Sequence, residues 1–136
     1  MSQQSRRNIL EQGRAEFAYQ CAEKASKENY KEDYKPYVKK IPMLIKTNGL
    51  GATIAYIKSK SKEGDAYSAI YKNISEWLVK KGIISEKDEL IEVIIQINSS
   101  EYRQITIEVL AFLNWLKRFA DGLIQKSEEN ESDGER

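Results

Sequence analysis

Residues 34–62, YKPYVKKIPMLIKTNGLGATIAYIKSKSK, decide the fold because they encode two amphipathic helices joined by one turn. Apolar side chains recur at steps of three and four residues on both sides of the turn, which is the spacing of a single helix face. They are Tyr34, Tyr37, Val38, Ile41, Leu44 and Ile45 before the turn and Leu50, Ile54 and Ile57 after it. In the turn, either Thr47 or Asn48 is predicted to cap the helix that follows.

Pro42 lies inside the first of these helices, which is predicted to run from about Lys31 to Lys46. A proline has no backbone N–H, and its ring crowds both the preceding turn and the preceding residue, here Ile41. The sequence therefore predicts a helix that is either kinked near Pro42 or split into two shorter helices.

The same segment contains seven lysines and no acidic residue. These lysines are Lys35, Lys39, Lys40, Lys46, Lys58, Lys60 and Lys62. Residues 1–62 hold 13 basic and 6 acidic residues, whereas residues 63–136 hold 9 basic and 15 acidic residues. This asymmetry predicts one face for nucleic acid and another for proteins or solvent. The alternative is an ordinary solvated surface that happens to be rich in lysine.

Two further helices are predicted on either side of this segment. The first covers about residues 4–27, and Arg14 lies at the edge of its apolar stripe. The second covers residues 66–81, where Asp65 is suited to cap the start and Gly82 to end the helix. Both helices have the apolar face that packing against a common core requires.

Residues 91–109 are compatible with two secondary structures. Apolar residues alternate on both sides of a short polar stretch, which is typical of a β-hairpin. Ser85 with Asp88, and Ser100 with Glu101, instead favour the starts of helices. From Val109 onward the pattern is helical, so a final helix is predicted from about residue 101 to residue 125.

The length of 136 residues is sufficient for one domain with a single core, predicted over residues 1–126. Residues 127–136, SEENESDGER, are acidic and polar and contain no large apolar side chain. We expect them to form a disordered tail, since they have nothing to bury.

The chain contains no histidine and a single cysteine, Cys21. This excludes Ser-His and Cys-His catalytic pairs as well as the usual zinc sites. Carboxylates alone can bind Mg²⁺, but no spacing singles out a pair of them. We expect no catalytic residue, no metal, no other cofactor and no small-molecule substrate. Because neither a signal peptide nor an apolar run of membrane length is present, we also expect a cytoplasmic protein without membrane contact.

Three blocks of the sequence resemble one protein family. They are GRAEFAYQCAEK at residues 13–24, YKPYVKKIPMLIKTNGLGATIAYI at residues 34–57 and EVLAFLNWLKRFADGLI at residues 108–124. Their order and spacing are similar to the small subunit of type III-B CRISPR effectors, the fifth Cmr protein of the Cmr complex. The resemblance implies an all-α domain without the hairpin. Together with the periodicity, this predicts a compact single-domain bundle of about five to seven helices, with a kink near Pro42 and a long C-terminal helix.

The resemblance also implies partners and a role. Members of the family stack head to tail as a minor filament beside the larger backbone subunit, and nuclease activity resides in the backbone and large subunits. Guide RNA lies mainly on the backbone subunit, while the complementary target RNA passes along the small subunits. The basic face would then neutralise target RNA phosphates without reading bases. The expected RNA contacts are Arg14, Lys39, Lys40 and Lys46, followed by Lys58 and Lys60.

Two other functions are compatible with parts of the sequence. In a protein–protein adaptor the lysines would serve only solubility, and salt-sensitive RNA binding would distinguish the two roles. A helical ribonuclease that uses an arginine and a histidine is disfavoured, since the chain has no histidine. The glycines Gly49 and Gly51 would either cradle a phosphate at a helix N-terminus or permit a tight turn with close helix packing.

Overall fold

Two long helices, α1 (Gln3–Ser26) and α6 (Ser99–Leu123), pack against each other and form the frame of the molecule. The structure, a computed structural model, describes residues 3–124, with side chains described from Leu10 onward. Four helices lie between the long pair in sequence: α2 (Lys31–Asn48), α3 (Leu50–Lys60), α4 (Ala66–Lys80) and α5 (Leu90–Ile94). Over the described residues the chain is all-α and compact, with a long last helix, which confirms the predicted fold class.

The core is formed by the apolar faces of these helices. Phe17 of α1, Trp77 of α4 and Phe112 of α6 stack on one another, with ring centroids 5.7 to 5.9 Å apart. Aromatic rings at this separation add to the stabilisation from the apolar area they bury. Cys21 is buried beside them, and burial raises the pKa of its thiol to about 12. The three helices are therefore joined through one aromatic centre.

The α2 helix continues through Pro42 to Asn48 without a break, so the split helix is wrong and a kink remains a prediction. The predicted cap is also wrong, because Thr47 and Asn48 are the last residues of α2. The N-cap of α3 is Gly49, whose φ of 91° and ψ of 159° are accessible almost only to glycine. Because a single residue connects α2 to α3, the chain must change direction at that residue, which requires this backbone conformation. A threonine or an asparagine at the connection would adopt it only with strain.

The α2–α3 connection is tied to α6 by Tyr102. The Gly51 backbone N–H donates a hydrogen bond to Tyr102 Oη at 2.7 Å. Thr53 Oγ1 donates back to the Gly49 carbonyl at 2.8 Å. Because the Gly51 amide is already satisfied, the two glycines serve a tight turn and a close helix contact.

The predicted signals at both ends of α4 are confirmed. The Asp65 side chain accepts a hydrogen bond from the Ser68 amide at 2.8 Å, as an N-cap should. At the other end Gly82 has a φ of 76° and donates to the Val79 carbonyl at 2.9 Å. The next amide, of Ile83, donates to the Leu78 carbonyl at 2.9 Å, which completes a Schellman motif.

The hairpin alternative is wrong, because residues 90–94 form the short helix α5. Leu90 and Ile94 are both buried, four residues apart as on one helix face, whereas Ile95 is exposed. The start predicted at Ser85 is instead a turn closed by the Asp88 side chain, and helix begins only after Glu89. Tertiary burial of two residues thus overrides the alternating pattern.

The final helix begins at Ser99, where the Asn98 side chain accepts a hydrogen bond from the Glu101 amide at 2.9 Å. The predicted start was two residues later, because the sequence interpretation took Ser100 with Glu101 as the start signal and did not identify Asn98 as the cap. The predicted end at residue 125 and the tail at residues 127–136 lie outside the described residues.

Candidate nucleic-acid interface

The six predicted RNA contacts fall into different environments, and only some lie together. Arg14 is buried in the bundle, whereas the other five are exposed on α2 and α3. Those exposed residues are Lys39, Lys40, Lys46, Lys58 and Lys60. The structure therefore divides a set that sequence treated as one face.

Arg14 is the cation of a buried network between α1, α4 and α6. Its Nε donates to Glu108 Oε2 at 2.8 Å and its Nη2 to Glu108 Oε1 at 3.3 Å. Trp77 Nε1 donates to the same carboxylate at 3.3 Å, and Lys81 Nζ lies 3.4 Å from it. Glu11 pairs with the remaining side of the guanidinium. Since carboxylates engage all three of its side-chain nitrogens, Arg14 stabilises the packing of α1 and α6, and this geometry does not support its predicted contact with RNA.

Burial alone would raise the pKa of Glu108. The hydrogen bond and charge of Arg14 outweigh burial, with help from Trp77 and Lys81, and hold the pKa below its usual value. The carboxylate is therefore ionised at neutral pH and satisfied on both oxygens. This arrangement has the features that a buried ion pair needs in order to be tolerated.

Lys39 shares an acid with its neighbour on the same stripe of α2. Lys39 Nζ lies 3.3 Å and Lys35 Nζ lies 3.6 Å from Asp121 Oδ1 on α6. The hydrogen bond from Lys39 lowers the pKa of Asp121, and Lys35 contributes further. Lys35 also donates to the Ile124 carbonyl at 2.9 Å. Lys46 is exposed two turns further along this stripe.

Lys40 and Lys60 instead lie against three tyrosines, and we call these five residues the Tyr–Lys cluster: Tyr37, Lys40, Tyr56, Lys60 and Tyr67. Tyr37 and Tyr67 stack with centroids 4.1 Å apart, and Tyr56 meets Tyr67 edge-on at 5.9 Å. Lys40 Nζ is 4.8, 5.9 and 5.5 Å from the centroids of Tyr37, Tyr56 and Tyr67. Lys60 Nζ is 5.8 Å from that of Tyr56. These distances are within the range of cation–π contact.

The pKa values of two hydroxyls in the Tyr–Lys cluster shift in opposite directions. A hydrogen bond with Tyr67 lowers the pKa of Tyr56, and the nearby charges of Lys40 and Lys60 lower it further. The pKa of Tyr67 is raised, chiefly because its hydroxyl is desolvated and then because of the same hydrogen bond. Asp33 contributes weakly to the raised pKa of Tyr67, whereas the charges that act on Tyr56 are those of the two lysines.

Lys58 of α3 lies over Tyr71, which is one helical turn beyond Tyr67 on α4. Its Nζ is 4.8 Å from the Tyr71 centroid and 3.1 Å from Glu89 Oε1. Tyr71 Oη donates to the same Glu89 carboxylate, and this hydrogen bond followed by that of Lys58 lowers the pKa of Glu89. The charge of Lys58 is therefore partly offset, unlike those of Lys40 and Lys60.

A groove of about 560 Å³ opens beside the Tyr–Lys cluster, between α2 and α3. It is lined by Lys40, Leu44, Asn48, Ala52, Thr53 and Tyr56, none of which is acidic. The sequence interpretation named Lys40 but missed the role of the tyrosines: it placed Tyr37 on the apolar stripe of α2 and gave Tyr56 no role. The signal was present, because Tyr37 and Tyr56 lie inside the acid-free segment.

Elsewhere in the described residues, no group of three or more Cys, Asp or Glu side chains is arranged to hold a metal ion. None of the helices from α1 to α6, as far as the structure describes them, is both long and apolar enough to cross a membrane.

Comparison with known proteins gives a consistent result. The sequence model of the family "CRISPR-associated protein (Cas_Cmr5)" matches residues 10–123. The chain is 30% identical over 112 residues to the protein named CRISPR system Cmr subunit Cmr5 of Thermus thermophilus, which covers 82% of this chain and 93% of that protein. It is also similar to the crystal structure of a CRISPR-associated Cmr5 family protein from the same organism. That match has a TM-score of 0.72 at 30% identity and covers 85% of this chain and 96% of the other.

Proposed function

The chain belongs to the CRISPR-associated Cmr5 family, and we propose that it is a non-catalytic small subunit of an RNA-guided type III-B Cmr complex in antiviral defence. In this proposal it stacks on further copies of itself as a minor filament and contacts the backbone of target RNA. The observation that carries the RNA contact is the Tyr–Lys cluster beside an acid-free groove. Its partners are the backbone and large Cmr subunits and the guide–target RNA, in the cytoplasm.

The physical basis of the contact is phosphate neutralisation. Lysines that meet phosphates release condensed counterions, which supplies affinity without sequence information. A guide-directed complex needs only this from its small subunit, because base pairing with the guide already selects the target. Repetition along a filament then turns a weak contact per subunit into a stable one.

The lysines differ in how available they are for this task. Lys40 and Lys60 are exposed and pair with no carboxylate among the described residues. Lys46 is exposed on a neighbouring stripe. Lys39 and Lys58 must share their charge with Asp121 and Glu89, so we assign them a weaker contribution. Arg14 is excluded by its burial and its carboxylate partners.

The test is the salt dependence of target RNA binding by the assembled complex. The double variant Lys40→Gln with Lys60→Gln should reduce the slope of log affinity against log salt concentration by about 1.4 for each subunit that binds. This is about 0.7 for each of the two lost phosphate contacts. Two exposed lysines on other faces provide the control, as Lys24→Gln with Lys87→Gln, and should leave the slope unchanged. If the cluster variant assembles and binds with the parental slope, the RNA role is wrong and the adaptor role is favoured.

A further inference from the structure

We propose that the ring of Tyr56 and the groove beside it bind one unpaired RNA base by stacking, in addition to the phosphate contacts. This inference rests on the proposed function and deepens it, since it names the state of RNA that the surface accepts. A base held in a duplex is covered on both faces by its neighbours, whereas an unpaired base has a free face for an aromatic side chain.

The Tyr56 ring is oriented by its edge-on contact with Tyr67 but is not covered by another aromatic ring. It is 39% exposed and contacts Tyr67 edge-on, at an interplanar angle of 90°. Tyr37 and Tyr67, by contrast, lie nearly parallel at 13° and cover each other. Among the described aromatic pairs, none places a second ring flat on Tyr56. An exposed ring with a fixed tilt is a stacking platform that loses little conformational entropy on binding.

The residues around Tyr56 leave space for a planar group. Side chains on a helix lean towards its N-terminus, so Tyr56 leans over the turn that carries Ala52. A methyl group at that position leaves the space beside the ring open, and Ala52 lines the groove together with Leu44 of α2. The exposed Asn48 amide lies on the same groove and offers both a donor and an acceptor to a base edge.

Two cations flank the ring, which favours a nucleotide over an apolar peptide side chain. Lys40 and Lys60 lie 5.9 and 5.8 Å from the Tyr56 centroid, and both are exposed. Phosphates on either side of a stacked base would meet these ammonium groups. Aromatic rings combined with a positive groove are the usual means of holding single-stranded nucleic acid without sequence preference.

The test uses the assembled complex and two single-stranded probes of equal length, a uridine oligonucleotide and the same oligonucleotide with abasic sites. Both have the same number of phosphates, so a difference in affinity reports contacts to bases. We expect the intact probe to bind about 5- to 150-fold more tightly, the range for a stacking contact of about 1–3 kcal/mol. Tyr56→Ala should remove most of this difference and leave binding of the abasic probe within about twofold.

Two further variants separate stacking from general loss of an aromatic residue. Tyr56→Phe keeps the ring and should keep most of the preference for the intact probe. Tyr19→Ala is the matched control, because Tyr19 is 42% exposed on α1 and also meets its partner, Phe119, edge-on at 84°. It lies away from the Tyr–Lys cluster, so the preference should be unchanged.

Equal affinity of the parental complex for both probes would overturn the base-stacking inference. An equal loss of preference in Tyr56→Ala and Tyr19→Ala would also overturn it. If Lys40→Gln with Lys60→Gln then weakened both probes alike, the phosphate contact of the proposed function would still hold. If those lysine changes affected neither probe, the proposed function would fail as well.

Discussion

The Arg14 network and the Tyr–Lys cluster have similar chemistry in sequence and different roles in the structure. Each combines a basic side chain from the first 60 residues with at least one aromatic residue. In the Arg14 network the cation meets the carboxylates of Glu108 and Glu11 and is 9% exposed. In the Tyr–Lys cluster Lys40 and Lys60 meet only rings and solvent. A nearby acid and burial therefore decide whether a basic residue stabilises the fold or remains free for a polyanion.

The largest effect is expected when the carboxylate of Glu108 is removed from the Arg14 network. Glu108→Ala leaves Arg14 with only Glu11, removes the acceptor of Trp77 and frees Lys81. Loss of one partner of a buried pair should lower the free energy of unfolding by about 3–5 kcal/mol, measured by urea denaturation. The exposed Glu92→Ala is the control and should change it by less than about 0.5 kcal/mol. A change below about 1 kcal/mol in Glu108→Ala would show that the network is not structural.

A smaller effect is expected where the α2–α3 connection sets the geometry of the Tyr–Lys cluster. Gly49→Ala forces a methyl group onto a residue with a φ of 91° and should cost about 1–3 kcal/mol of unfolding free energy. RNA affinity should fall with it, because the turn fixes α2 relative to α3.

Gly13→Ala is the matched control for this change. Gly13 is helical, and a Cβ there meets nothing within 4 Å. Gly13→Ala should therefore raise the free energy of unfolding by about 0.5–1 kcal/mol. If Gly49→Ala left the free energy of unfolding unchanged or raised it as Gly13→Ala does, the backbone strain expected from an alanine at position 49 would be wrong.

Acidification should weaken the Arg14 network because it protonates Glu108. The pKa of Glu108 is lower in the folded chain than its usual value of 4.5, so its contribution is complete above that pH. It is lost as the pH falls through the folded pKa. The difference in unfolding free energy between the parental chain and Glu108→Gln should therefore narrow as the pH falls below about 4.5, as measured by urea midpoints. A constant difference over this range would contradict the assignment.

The smallest effect distinguishes lysines that have an acidic neighbour from those that do not. Lys46→Gln should lower the salt slope of RNA binding by about 0.7, the value for one single-strand phosphate contact. Lys39→Gln should lower it less, because Asp121 already offsets part of its charge at 3.3 Å. Measurement of both slopes in the assembled complex tests this ranking. A larger effect at Lys39 would show that Asp121 does not hold this lysine in the complex.

Local signals in the sequence predicted the parts of the fold that depend on neighbouring residues. Asp65 marks the start of α4 and Gly82 its end, as predicted, because a capping residue forms its hydrogen bonds with residues no more than four positions away. The turn at Gly49 was found, but its cap was assigned to Thr47 or Asn48, since the one-residue connection is a property of the backbone path. The choice between hairpin and helix at residues 90–94 depended on burial of Leu90 and Ile94, which periodicity alone does not reveal.

The candidate site could be predicted only in part. Arg14 was grouped with the surface lysines because its main partner, Glu108, lies 94 residues away in the sequence. The Tyr–Lys cluster is assembled from α2, α3 and the start of α4, so no single segment displays it. Lys40 and Lys60 were identified from charge, whereas Tyr56 was given no role, because the sequence of one helix does not show which rings and cations surround a residue in the fold. Family resemblance predicted the role but not these contacts.

The central claim is that target RNA lies on the α2–α3 surface and not on the surface of α1 and α6. Photo-cross-linking of the assembled complex to target RNA containing 4-thiouridine, followed by mapping of the linked peptides, tests it most directly. We expect cross-links in residues 37–60, with Tyr56 prominent, and their loss when Lys40→Gln and Lys60→Gln are combined. Cross-links confined to α1 or α6, with none between residues 37 and 60, would contradict the account.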